Sequence, residues 1–187
     1  MRLFVAVDIP EEVRSAVNAL LARLRPQCTG ARWARMEGLH VTLKFIGEML
    51  PEKLEAIQQS LAAVSFPKAI AMDFRGLGFF PNERRPRVLW VGIEAGPGLA
   101  SLATAVDAAL VPLGVPREER AFSPHLTLAR FDMSRGLGHL RSAIEAAGPL
   151  AFGRANAGEF QLYQSVLKRG GAEYTRVASF ACAENES

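Results

Sequence analysis

Hydrophobicity alternates between two periods along this chain. Apolar residues two apart mark strands over Arg2–Ile9, His40–Gly47, Lys68–Phe80, Val88–Ile93, His125–Ala129 and Tyr174–Cys182, and residues 151–168 hold one or two more. Apolar residues three and four apart mark helices. The first opens at Pro10-Glu11-Glu12, with proline in the first turn and acids at the positive end of the helix dipole. It runs to about Arg25 on Val13, Val17, Leu20, Leu21 and Leu24. Three others start near Pro51, Gly96 and Leu137. Gly30–Arg35 reads as a short extended piece, Gly76 and Gly78 as a bend or bulge, and Lys168-Arg169-Gly170-Gly171 as a hairpin turn. The strict strand–helix–strand alternation of a parallel sheet is missing, which predicts an α+β fold with largely antiparallel sheets. The order strand, helix, strand, helix, strand occurs about twice with no flexible linker between. The expected architecture is one bilobal domain over residues 1–187, two pseudo-symmetric lobes of mainly antiparallel sheet with helices around a central cleft.

The repeat is sharpest in one short frame. His40-Val41-Thr42-Leu43 returns 85 residues later as His125-Leu126-Thr127-Leu128, and these frames hold two of the chain's three histidines. Side chains two apart on a strand share a face. Alternation therefore puts His40, Thr42 and Lys44 on one face of the first strand and Val41, Leu43 and Phe45 on the other, core-facing side. The third histidine, His139, stands at a polar helix start and reads as surface.

Composition narrows the setting. Hydrophobic residues make up 49% and charged residues 22%, the balance of an ordinary soluble globular chain. No apolar run reaches the length of a membrane-spanning helix, and Leu3–Val7 is too short for a signal peptide, so the expectation is a cytoplasmic monomer with no membrane partner. Cys28 and Cys182 lie in no CxxC pair and read as free thiols. The net charge of +3 is compatible with a phosphate-bearing ligand. Arg32 and Arg35, then Arg84, Arg85 and Arg87, form clusters suited to guiding a polyanion toward a groove.

Two opposed imidazoles can run an in-line displacement at phosphorus, one taking a proton from water and the other giving one to the departing oxygen. A hydroxyl beside each can hold the non-bridging oxygens. The charge can be met by hydroxyls and cationic side chains, so the scheme needs no metal or other cofactor. Neither histidine has a carboxylate at ligand spacing, and the GxSxG and P-loop signatures are missing.

These segments resemble the 2H phosphoesterase superfamily, and within it the RNA 2′,3′-cyclic phosphodiesterases (2′-5′ RNA ligase-like). The resemblance rests on Arg2–Val7, Arg32-Trp33, Leu39–Gly47, Arg85-Pro86-Arg87-Val88-Leu89-Trp90-Val91-Gly92, Ser123–Arg130 and Tyr174-Thr175, and so spans nearly the whole chain. It implies metal-independent hydrolysis of an RNA 2′,3′-cyclic phosphate end, or of a cyclic nucleotide, to a 2′-phosphomonoester. It casts His40 as the donor to the leaving 3′-oxygen and His125 as the base, since two nearly symmetric motifs do not assign these roles themselves. Thr42, Thr127 and Arg130 would bind phosphate. Strict alternation sets Arg130 on the apolar face, which requires the strand to end or twist there. Lys44 is a further phosphate candidate. Trp33, Phe80 and Trp90 are candidates for stacking on a base, with Trp90, in an apolar strand, reading first as core. Reversible 2′-5′ ligation, or nucleotide or RNA binding by a silent site, are the alternative readings.

Overall fold

The computed structural model describes residues 1–66, 69–132, 137–169 and 171–181. Cys182 and the polar tail lie outside the described residues. Nine strands and four α-helices are present among the described ones: β1 Arg2–Asp8, α1 Glu11–Leu24, β2 Arg32–Trp33, β3 His40–Glu48, α2 Leu54–Ala62, β4 Ile70–Phe80, β5 Val88–Ala95, α3 Pro97–Leu110, β6 His125–Arg130, α4 Gly138–Ala147, β7 Ala151–Ala157, β8 Glu159–Lys168 and β9 Gly171–Ala181. The strands form a four-stranded sheet, β3-β1-β8-β9, and a five-stranded sheet, β2-β6-β5-β4-β7. Every pairing is antiparallel. The expected α+β fold with two antiparallel sheets is what the chain adopts. Residues 151–168 hold two strands, parted at Gly158.

Each sheet has an apolar face and a mixed face. The apolar faces carry Leu3, Val5 and Val7 of β1 and Leu89, Val91 and Ile93 of β5, all buried. Helices cover them, and the cover is exchanged between the halves. α1, which leaves β1 of one sheet, packs against β7 and α4 of the other, while α3, which leaves β5, packs against β3 and α2. Val13, Val17, Leu20, Leu21 and Leu24 form the buried stripe of α1, and Leu99, Leu102, Val106 and Leu110 that of α3. The buried side chains join into one cluster. Fully burying each such side chain is worth about 1.5–3 kcal/mol, so the exchanged helices fasten the two halves firmly.

The mixed faces look toward each other. Asp8 and Gln161 from one sheet and Asp73, Glu94 and Arg154 from the other line a single cavity of about 980 Å³. β2 pairs antiparallel with β6, matching Arg32 to Arg130 and Trp33 to Ala129. It hands the chain on to β3 within a few residues, and β3 and β6 touch. The two strands carrying the repeated frame thus meet at the middle of the molecule.

Candidate active site at the paired strands

The two frames fold alike, and a shared irregularity decides what each presents. Opposite β1, Ala6 pairs with Thr42 and Val5 with Lys44, which leaves Leu43 as an extra residue. Opposite β5, Trp90 pairs with Thr127 and Leu89 with Ala129, which leaves Leu128 extra. A bulge of this kind interrupts the alternation. Leu43 and Lys44 both turn inward, at 7% and 5% exposure, as do Leu128 and Ala129. The next residues, Phe45 and Arg130, therefore swing onto the faces of His40–Thr42 and His125–Thr127.

Two expectations change here. Phe45 is no core residue; it is 62% exposed and lies near the Phe4 ring on the histidine face. Lys44 is no phosphate ligand; its Nζ donates to the Pro116 carbonyl at 2.7 Å and pairs with Asp107 Oδ1 at 2.6 Å behind the sheet. Burial alone would raise the pKa of Asp107, but Lys44 and the Glu118 N–H outweigh it and hold the carboxyl below its usual value. Removing one partner of a buried pair leaves the other charge uncompensated. Lys44→Ala is expected to lower unfolding free energy by about 3 kcal/mol in urea titrations, with turnover per folded molecule retained.

Arg130 is exposed at the end of β6. Its guanidinium has no hydrogen bond or ion pair with the described residues, and neither does the hydroxyl of Thr42 or Thr127. Three groups able to bind phosphate oxygens thus stand unengaged around the motifs. The bulge supplies the turn in the strand that Arg130 requires.

The histidines sit in different surroundings. His40 pairs across β1 with Asp8 and lies in an aromatic nest. Phe4 stacks on it at 4.6 Å between centroids, Tyr174 meets it edge-on at 5.2 Å, and Tyr163 lies 6.1 Å away. Gly38 makes room for this nest, since a Cβ there would stand 2.8 Å from the Tyr174 ring. Burial lowers the His40 pKa from 6.5 to about 4, against the opposing pull of a hydrogen bond to the Gly38 backbone and of the Asp8 charge. The Tyr163 hydroxyl donates to Asp8 Oδ1 at 2.5 Å, and Arg176 donates to Asp8 Oδ2. Asp8 is thereby fixed behind the imidazole.

His125 is fastened from the other side of its ring. Its Nδ1 lies 2.8 Å from the Ser123 carbonyl, a contact that only an N–H can make. In the neutral ring the lone pair then belongs to Nε2. Phe80 meets the ring edge-on at 4.9 Å. Trp90 lies 5.1 Å from Phe80 and belongs to this mixed face, not to the core as its apolar strand suggests. It fits because Gly78 has no side chain; a Cβ there would come within 2.1 Å of the indole. Gly76, with φ of +70°, is the bulge in β4, so the two glycines have separate jobs. Arg75, Phe80, Trp90, Gly92, Ser123 and His125 border a pocket of about 270 Å³. Trp33 is no stacking platform; it packs against the core and donates from Nε1 to the Cys28 carbonyl at 2.9 Å.

Two touching strands, bulged at the same position, thus each carry an imidazole and a hydroxyl two residues apart, the pattern of a two-histidine phosphoesterase. The family model described as LigT like Phosphoesterase matches the chain twice, over residues 7–90 and 91–174, one match for each histidine motif. The chain belongs to the LigT-like phosphoesterase family. Among its relatives is an RNA 2′,3′-cyclic phosphodiesterase of Archaeoglobus fulgidus, 35% identical over 96% of this chain and 99% of that protein. Another is an RNA 2′,3′-cyclic phosphodiesterase of Thermus thermophilus, 35% identical over 97% of this chain and 90% of its own length. Among solved structures, E. coli LigT complexed with 3′-AMP superposes with a TM-score of 0.79 at 28% identity, covering 98% of both chains.

Proposed function

We propose that this chain is an RNA 2′,3′-cyclic phosphodiesterase that opens the cyclic phosphate by acid–base catalysis between His40 and His125. The observation that carries the reading is the duplicated His-x-Thr pair, bulged at the same position on two touching strands. Its relatives bear the same activity in their names. The phosphorus sits between the rings, with its non-bridging oxygens on Thr42, Thr127 and Arg130. Nε2 of His125 takes a proton from water as the water oxygen bonds to phosphorus. The bond from phosphorus to the 3′-oxygen breaks, and His40 supplies the proton that makes the 3′-hydroxyl. A 2′-phosphomonoester remains. His40 is a poor proton carrier while its site is empty, because burial favours the neutral ring. An anionic phosphate beside it stabilises the imidazolium, so bound substrate charges its own acid.

No helix among the described residues is long and apolar enough to cross a membrane. The reading takes the working form to be a cytoplasmic monomer, which size-exclusion chromatography checks in part. The decisive assay is hydrolysis of a 2′,3′-cyclic nucleotide with EDTA present. Turnover is expected to persist, with the 2′-phosphate as sole product. Loss of activity in EDTA, or a 3′-phosphate product, would overturn the assignment.

A further inference from the structure

The groove has two chemically different ends. At the end where β3 and β6 begin, Asp8, Asp73 and Glu94 line the large cavity. Its cations are taken: Arg75 pairs with Asp73 and Glu94, Arg154 with Asp73, and Arg176 with Asp8. That end offers a polyanion nothing. Where the same strands finish, the walls differ. On the five-stranded side stands Arg130, level with Arg32 and Val88, and the turn from β4 to β5 adds exposed Arg84, Arg85 and Arg87. Against these arginines stand Asp132, which holds Arg32, and Glu83. On the four-stranded side are exposed rings. Phe45 is 62% and Tyr174 39% exposed, and both touch Phe4. One wall is cationic, and the other carries two partly exposed aromatic rings.

Resting on the phosphodiesterase reading above, we infer that this end is a track for single-stranded RNA, with the nucleotides 5′ of the cyclic terminus leaving past Phe45 and Arg130. Phosphates run along the arginine wall and unpaired bases stack on Phe45 and Tyr174. Stacking and cationic grooves together bind single strands with little sequence preference, whereas a duplex keeps its base faces covered. The bulges create the track, since without them Phe45 and Arg130 would point into the core. The preferred substrate is then an oligonucleotide end, with the cyclic mononucleotide a truncated version of it.

The test compares kcat/KM for a 2′,3′-cyclic mononucleotide, a single-stranded trinucleotide with the same end, and that end held in a blunt duplex. The trinucleotide is expected to exceed the other two by about tenfold at low salt, with the margin narrowing as salt rises. Phe45→Ala should reduce the trinucleotide value, through KM, several-fold more than the mononucleotide value, and Phe45→Tyr should restore it. Arg84→Gln with Arg85→Gln should flatten the salt dependence for the trinucleotide. Equal values for all three substrates, or equal losses on both single-stranded substrates in Phe45→Ala, would overturn the track. If the native protein turns over none of them, the phosphodiesterase reading itself fails. Fluorescence anisotropy with a 2′-phosphate-ended trinucleotide then decides the track alone, because binding insensitive to Phe45→Ala would refute it.

Discussion

Alanine at His40 or at His125 is expected to lower kcat on a 2′,3′-cyclic nucleotide by at least about 10²-fold, the contribution of one positioned acid or base. The double variant should lose far less than the product of the two, because groups that act on one transition state are not independent. The two single variants should also differ. His125 is fastened by the Ser123 carbonyl and Phe80, so its loss removes the base and little else. His40 is packed among Phe4, Tyr163 and Tyr174, and its loss opens a cavity in that nest. The His40 variant should therefore also be less stable, by about 1–3 kcal/mol on large-to-small grounds. Initial rates and urea titrations on the same preparations separate the effects. Full activity in either variant would remove that histidine from the mechanism.

The second large effect is on pH. The folded His40 titrates at about 4 against 6.5 for an ordinary histidine. The unfolded chain therefore binds the proton first, and the native state is favoured wherever the ring is neutral. This stabilisation is fully present above pH 6.5 and is lost as the pH falls toward 4. Over that interval it amounts to about 3 kcal/mol. Urea midpoints measured from pH 7 down to pH 4 should drop accordingly, and in His40→Gln this component of the slope should vanish. As the proton donor, His40 must carry its proton, so kcat should fall as the pH rises through its pKa. That inflection should lie above the ligand-free value of about 4, because bound phosphate holds the imidazolium. A stability that does not change between pH 6.5 and 4 would place His40 in water and not among aromatic rings.

The period-two pattern was enough to find both His-x-Thr pairs, because each lies on the regular part of its strand, before the bulge. It failed one residue later. Leu43 and Leu128 look like any other inward residues, and what makes them extra is the count of residues on β1 and β5. A bulge belongs to a pair of strands, and one strand's sequence does not contain it. Strict alternation accordingly puts Lys44 and Phe45 on each other's faces and Arg130 on the apolar one. Trp90 misled differently. Its neighbours are apolar, and only Gly78 on the adjacent strand, where a side chain would collide with the indole, signals that the ring lies flat on the mixed face. The helices were legible as helices, since their apolar stripes are strong. Which sheet each would cover was not, because α1 and α3 present similar stripes and the exchange between halves depends on chain crossings that no local pattern records.

All of this depends on one phosphorus being held by both rings at once. The direct measurement is a crystal structure of the protein with a 2′-phosphate nucleotide bound. The account predicts that Nε2 of His40 and Nε2 of His125 each lie within about 3.2 Å of oxygens on the same phosphate, with Thr42 and Thr127 on the remaining oxygens. A phosphate touching only one imidazole, or seated at the Asp8–Asp73 end of the groove, would contradict it.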